Sequence, residues 1–218
     1  MTDYILGNDQ SWSGWGRCLA TKDGPIWADH VANLGRKTYR WHALAAELAR
    51  LDEMCPRPAE PGTIRLVAEK PPMKMSKQGS RRRGADVAPQ TPASVFGMGT
   101  LAGPLLTWGA RPGWLSPWLV DIRQDYDRRK MPKGPPGWRS WWGITGCSSR
   151  RDYKVSAICV VDRYGWGELL EPYGWRKRMQ LGQLYDICEK AAGDVAESIL
   201  IAVGAARHPE QAPRSPKR

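Results

Sequence analysis

Apolar and polar positions along the chain fall into runs of two kinds, some that alternate or stay short as strands do and some that repeat at helical spacing. Tyr4-Ile5-Leu6-Gly7-Asn8-Asp9 is an apolar run that ends in a carboxylate and turn residues, and it predicts a first strand. Trp12 to Thr21, rich in Gly, Trp and small residues, runs into Lys22-Asp23-Gly24, and an Asp-Gly pair between extended runs signals a tight hairpin. Ile26 to Leu34 then completes an antiparallel meander. After Gly35-Arg36-Lys37, Thr38 caps a helix running to about Met54, in which Trp41, Leu44, Ala45, Leu48 and Leu51 share one face while Arg40, Glu47 and Arg50 look elsewhere. Beyond a Pro-rich break at 56–62, Thr63 to Glu69 is a fourth strand, again apolar and again closed by an acid. A strand reached through a helix is expected to lie parallel to the first, by a right-handed crossover, and that brings Glu69 beside Asp9.

The second half continues the alternation of elements. Thr91-Pro92-Ala93-Ser94 starts a helix with Val95, Met98, Ala102 and Leu105 as its stripe. Its Gly97, Gly99 and Gly103 leave a smooth surface for a closely packed partner, a second copy of the chain among them, and Pro104 is expected to kink or shorten it. Trp118 to Ile122 is the fifth strand. A helix from about Ser149 to Arg163 turns Tyr153, Ala157, Val160 and Val161 inward, and a loop holding Trp166, Trp175 and Arg176-Lys177-Arg178 follows. The last element, Gly193 to about Arg207, is an apolar helix whose first turn carries Asp194 and Glu197 on one face. An Asp followed three residues later by Glu also fits a capping box, and on this segment alone the two readings weigh equally. The sum is an α/β chain: a five-stranded mixed sheet, an antiparallel meander plus parallel strands, flanked by helices in a single domain over 1–207.

Charge adds a partner to this outline. The chain has 33 Lys and Arg against 22 Asp and Glu, a formal +11, which calls for a polyanion, either nucleic acid or an anionic membrane surface. No run reaches the ~18 to 20 apolar residues of a membrane span, and the N-terminus lacks a charged-then-apolar signal. Nucleic acid in the cytoplasm is therefore the expected setting. The cations concentrate in two Pro/Gly-rich excursions at about 70–90 and 123–143, with Lys70, Lys74, Lys77, Arg81, Arg82 and Arg83 in the first and Arg128, Arg129, Lys130 and Arg139 in the second. The first excursion comes just after the strand end that carries Glu69, where its cations would hold a phosphate backbone against the acids; a solvated run of charge is the plainer alternative. The tail 208–218 is basic and Pro-rich, and is expected to be disordered.

Five scattered cysteines with no Cys-x-x-Cys pair indicate reduced, mostly buried thiols rather than a disulfide framework or a zinc knuckle. His30, His42 and His208 lie too far apart in sequence to show ligand spacing. Twelve Trp against one Phe suggest rings used to pin loops down. The group Trp138-Arg139-Ser140-Trp141-Trp142 suits stacking on exposed bases, or packing of its loop onto the body.

Asp9 by itself has an ordinary use, opening a turn through a bond to the backbone ahead of it. Together, though, Asp9, Glu69, Asp194 and Glu197 are four carboxylates converging from three elements, and these would repel unless divalent cations sat among them. Hard oxygen ligands suit Mg²⁺ or Mn²⁺. Such a set matches phosphodiester hydrolysis with two ions ~3.5 to 4 Å apart, which activate a water and stabilise the leaving oxygen.

At this point the chain resembles a known family. Ile5-Leu6-Gly7-x-Asp9-x-Ser11 with Gly14 soon after, a strand ending in Glu69, a helix with Ser94 and Gly-rich spacing, and a closing Asp194-x-x-Glu197 helix are similar to the RuvC group of Holliday-junction resolvases in the RNase H-like superfamily. The likeness spans roughly Tyr4 to Arg207. It departs in two places: the fourth acid, commonly Asp in the bacterial enzymes, is Glu197, and the loops after Glu69 and Ile122 are enlarged, as would suit a bacteriophage or mobile-element version.

The resemblance implies an RNase H-like fold and a homodimer that binds a four-way or branched DNA junction across two active sites. It implies symmetric cuts that leave 5′-phosphates, two Mg²⁺ or Mn²⁺ per active site, and a bacterial cytoplasm. Carried over, Asp9, Glu69, Asp194 and Glu197 become the catalytic metal ligands. The family's wedge after the second acid falls on Pro71, Pro72, Met73 and Met75, with Met73 taken as the residue that enters the junction. Its basic residue near the phosphate falls on Arg139 or Lys154, a choice the sequence leaves open. Other classes weigh less. A junction-binding protein that does not cut would have no use for intact acids, and a phosphotransferase of the actin and sugar-kinase type would be much longer, with a repeated domain. Within the nucleases, an RNase H or transposase type is the runner-up.

Overall fold

In a computed structural model of the chain, residues 4–10, 14–32, 41–55, 63–69, 102–120, 137–147, 149–188 and 191–212 are described. The strands are β1 (Tyr4–Gln10), β2 (Gly14–Thr21), β3 (Gly24–Ala32), β4 (Ile64–Glu69) and β5 (Leu115–Val120). They form one sheet in the order β3-β2-β1-β4-β5. β1, β2 and β3 pair antiparallel, whereas β4 runs parallel to β1 and β5 parallel to β4. This is the five-stranded mixed sheet flanked by helices that the sequence predicts, with the parallel crossover where a helix between β3 and β4 requires it. That helix, α1 (Trp41–Met54), ends where expected; Thr38 lies outside the described residues.

Alternation along each strand separates two apolar layers. Ile5 of β1, Cys18 and Ala20 of β2, Val67 of β4 and Trp118 and Val120 of β5 face one side. There they meet α4 (Arg150–Arg163) and α6 (Ala191–Arg207). Leu6, Trp15, Leu19, Leu66 and Ala68 face the other, against α1 and a helix at 102–109, α2. On that second side Arg17 is fully buried, bonding Asp29 of β3 and Glu47 of α1, so that a charge pinned by two carboxylates fastens α1 to the sheet. α2 continues through Pro104 to residue 109, where Gly109 lies against Leu66: a Cβ there would stand 2.5 Å from a Leu66 methyl. The expected start of this helix at Thr91, with Gly97 and Gly99, lies outside the described residues.

Three stretches read as loop or tail contain structure. Trp138–Trp141 is a short helix, α3, inside the expected second basic excursion. Trp138 is fully buried, Trp142 Nε1 donates to the Leu200 carbonyl (2.9 Å) and Trp141 Nε1 donates to Gln211 Oε1 (2.9 Å). The rings pack their segment onto the body. A 3-10 helix at Gly167–Tyr173 and an α-helix at Leu181–Cys188, α5, fill the region after α4. The chain also does not leave the body at His208, whose ring stacks on Trp141 before a 3-10 turn at Pro209–Gln211. Among the described residues the five cysteines are free, with Cys18, Cys55 and Cys188 buried and Cys159 exposed. No helix among them is long and apolar enough to cross a membrane.

Candidate active site

Register carries the site across the sheet. Asp9 is paired with Gly16, Gly16 with His30, and Glu69 follows the Asn8–Ala68 pair by one position. Glu69, Asp9, Gly16 and His30 therefore form one row across β4, β1, β2 and β3. Strand parity turns the row towards α6. Asn8, of opposite parity, serves the other face, where it accepts a bond from Trp15 Nε1 (2.9 Å) and donates to the Leu6 carbonyl (3.0 Å). Gln10 Nε2 donates to the Glu69 main-chain carbonyl (2.5 Å) and ties the two acid-bearing strand ends together.

Gly16 has no side chain, and the Asp194 turn of α6 settles into the space. A Cβ on Gly16 would stand 2.2 Å from the Asp194 carbonyl oxygen. Gly7 meets α6 further along the helix, its Cβ position lying 2.7 Å from Ala202 N and from the Ser198 carbonyl oxygen. The helix thus lies directly on β1 and β2 and presents Asp194 and Glu197 to Asp9. The three carboxylates each offer an oxygen within 4.8 Å of the others. All are buried, Asp9 at 2%, Asp194 at 4% and Glu197 at 1% exposure. The capping-box alternative for Asp194 and Glu197 does not hold, because α6 already begins at Ala191 and the side chains bond to other elements. A capping box is found at α4 instead: Asp152 N donates to Ser149 Oγ and Ser149 N to the Asp152 carboxylate.

Cations from neighbouring elements offset the acids. Arg139 Nη2 donates to Glu197 Oε1 (2.5 Å) and its guanidinium lies over the Tyr153 ring at 4.4 Å. Lys154 Nζ donates to Asp194 Oδ1, and His30 Nε2 lies 3.3 Å from Asp194 Oδ2. Trp138 Nε1 donates to Glu69 Oε2 (3.3 Å). Arg150, at the exposed start of α4, is held above its usual range because the attraction of Asp9, Glu197, Glu69 and Asp194 outweighs the opposing effect of burial. Arg139 and Lys154 are raised in the same way, burial again being the largest single effect and the carboxylates together exceeding it.

The acids themselves divide. Burial, then the negative charges of Glu197, Glu69 and Asp194, holds the Asp9 carboxyl well above the ordinary range. Burial and Glu197 push Glu69 up to about 7, against the pull of Arg139, Arg150 and the Trp138 bond. Asp194 goes the other way: burial would raise it, but the bonds from His30 and Lys154 win. The unfolded chain ionises such groups near ~4, so between there and neutrality the folded protein keeps protons the unfolded chain has lost. The stability from Asp9 and Glu69 is full at the acid end of that interval and is lost as pH rises through the folded values. Asp194 acts only below the interval. The melting temperature of metal-free protein is therefore expected to fall between about pH 5.5 and pH 8, and saturating Mg²⁺ to reverse the trend, because ligation needs the carboxylates ionised. A metal-free melting temperature that climbs across the interval would contradict this.

The donor set fits a divalent ion. Asp9 Oδ2 is buried with no hydrogen-bond partner among the described residues, beside two more carboxylates, and all the ligands are hard oxygens. Of the residues named from the sequence, Asp9, Asp194 and Glu197 come together; Glu69 stands at the end of β4, close enough to Asp9 and Glu197 to raise both its own affinity for a proton and that of Asp9. Arg139 and Lys154 both reach the acids. Lys70, Met73, Lys74, Lys77, Arg81, Arg82, Arg83, Arg128, Arg129 and Lys130 lie outside the described residues. The sequence gives His30 and Arg150 no part in the site, and Trp138 only a stacking or packing one. Counting register back from the Asp23-Gly24 hairpin would put Asp29 opposite Gly16; the shift between Leu19 and Ala20 puts His30 there instead, and nothing local marks the other two.

No protein-family model matches the chain, and no curated protein matches it. Among solved structures the chain is similar to T. thermophilus RuvC in complex with Holliday junction substrate, at 9% identity and a TM-score of 0.47, covering 95% of each chain. It is similar also to a Thermus thermophilus RuvC structure, at 11% identity and the same TM-score of 0.47, again covering 95% of each chain.

Proposed function

We propose that this chain is a structure-selective endonuclease that resolves four-way and branched DNA junctions by metal-assisted phosphodiester hydrolysis. One observation carries the chemistry: three buried carboxylates whose oxygens lie within 4.8 Å of one another, with Asp9 Oδ2 unpartnered among the described residues. Arg139 and Lys154 pair with Glu197 and Asp194 but leave Asp9 Oδ2 unmatched, and like charges at that spacing oppose its ionisation until a cation joins them. Asp9, Asp194 and Glu197, with Glu69 at the rim, would hold two Mg²⁺ or Mn²⁺. When bound, the ions supply an activated water and charge stabilisation at the leaving oxygen.

The rest falls to the chain's own side chains. Arg139 and Lys154 are buried and already paired, so their task is to orient Glu197 and Asp194. Arg150, exposed at the start of α4 and attracted by all four acids, would be the cation that meets a phosphate oxygen, in place of the Arg139 or Lys154 expected from the sequence. The raised affinity of Asp9 and Glu69 for protons keeps the metal-free site partly neutral. The substrate class rests on the sequence resemblance and on the +11 charge, which suits a duplex-rich polyanion. As in the group it resembles, the chain would act as a homodimer with Met73 and the cations of 70–90 and 123–143 on the DNA. It would work in a bacterial cytoplasm, from a bacteriophage or mobile-element gene.

A synthetic four-way junction, a linear duplex and an RNA·DNA hybrid, each incubated with the protein and Mg²⁺, test this. The junction is expected to be cut at symmetric positions and the other two left intact. Cutting of the hybrid alone would move the chain to an RNase H type, and binding of the junction without any cut would leave a non-catalytic junction-binding protein.

A further inference from the structure

His30 stands at the β3 end of the row that begins with Glu69 and Asp9, and it is the one member of that row with a titratable side chain that is not an acid. The sheet is built to let its ring through. A Cβ on Gly14 would stand 2.1 Å from His30 Nε2 and 3.2 Å from Asp194 Oδ2, so glycine at this position leaves the gap through which the ring reaches α6. On its other side the ring meets Tyr173 edge-on, centroids 6.3 Å apart. Nε2 then lies 3.3 Å from Asp194 Oδ2 while Lys154 holds Oδ1. Lys154 is attracted by Glu197 and Asp9 as well, so the cation on Oδ1 is one that the whole cluster shares. His30 itself is not among the groups whose ligand atoms converge, which are Asp9, Asp194 and Glu197.

We infer that His30 is a positioning residue for metal binding: its Nε2–H fixes Asp194 through Oδ2, so that Oδ1 stays turned to the cluster when Lys154 gives it up to a divalent ion. This rests on the metal-site reading above. A carboxylate can rotate and swap its oxygens, and Lys154 alone cannot prevent that once it changes partner. Hydrogen bonds of this outer kind orient ligands, and their loss costs about 10- to 100-fold in metal affinity.

The test is direct titration of the whole protein with Mn²⁺ in the absence of DNA, with the melting temperature of each variant taken in parallel. His30→Leu is expected to weaken Mn²⁺ binding about tenfold or more. His30→Gln, whose amide nitrogen sits about where Nε2 does, is expected to stay within about threefold of the unsubstituted protein, the margin that separates a kept hydrogen bond from a lost one. His30→Asn is too short to reach Asp194 and should bind as weakly as His30→Leu, so the Asn and Gln pair carries the comparison if the leucine protein does not fold. Equal Mn²⁺ affinity in the unsubstituted and His30→Leu proteins overturns the inference alone, and so does a His30→Gln protein as weak as His30→Leu. An unsubstituted protein that binds no Mn²⁺ removes the metal-site reading, and this inference with it.

Discussion

Asparagine in place of Asp9 is expected to lower junction cleavage by about three orders of magnitude or more, which is the scale of the several kcal/mol that a lost ligand charge removes from metal-assisted catalysis. Junction binding should be kept, since amide and carboxylate have nearly the same shape and the expected DNA contacts lie elsewhere. The same change is expected to raise the melting temperature of the metal-free protein. Asp9 is buried, and Glu197, Glu69 and Asp194 all oppose its ionised form. A neutral amide removes that repulsion, and about 1 kcal/mol of relief moves the midpoint by about 2–4 °C in a chain of this size. Added Mg²⁺ should stabilise the unsubstituted protein and leave Asp9→Asn almost unmoved. A variant that loses cleavage and also melts lower without metal would mean that Asp9 holds the fold together rather than the ions.

That opposition between stability and chemistry explains which parts of the molecule can be read from its residues in order. The meander, the parallel fourth strand and helices α1, α4 and α6 follow from local pattern, because each must bury one face and the period shows which face that is. Asp9 and Glu69 stand out since an acid closing an apolar strand breaks the pattern that stability favours. The pair Asp194 and Glu197 stayed ambiguous for a physical reason: spacing of three serves both a helix start and a common helix face, and only the first residue of α6, Ala191, separates them. α5 buries Leu184, Ile187 and Cys188 at helical spacing, but over eight residues beside a basic run the period is too short to be distinct. Pro172 lies inside the 3-10 helix before it, where a turn was the natural expectation. His30 was beyond local reasoning altogether, since its partner lies 164 residues away and its place depends on strand register, which is shifted at Leu19 and Ala20. Cross-strand neighbours are fixed by pairing, not by proximity in the chain.

Gly16→Ala is expected to cost the fold much of its stability, because the space the methyl would fill belongs to the helix that carries two of the acids. The new Cβ would stand 2.2 Å from the Asp194 carbonyl oxygen, 2.5 Å from its carbonyl carbon and 3.1 Å from Val195 N. All three are backbone atoms, so no side-chain rotation relieves the clash; α6 must lift from the sheet. An added methylene in a packed core costs about 1–3 kcal/mol when side chains absorb it, and here the upper end applies, a drop of about 6–12 °C in melting temperature. Lifting the helix also draws Asp194 and Glu197 away from Asp9, so Mn²⁺ affinity should fall together with stability. Gly103→Ala provides the control, because among the described residues nothing lies within 4 Å of the added carbon, and a helical Gly replaced by Ala gains about 1 kcal/mol. If Gly16→Ala melts as high as the unsubstituted protein and binds Mn²⁺ as tightly, the close seating of α6 on β1 and β2 does not hold the carboxylates together.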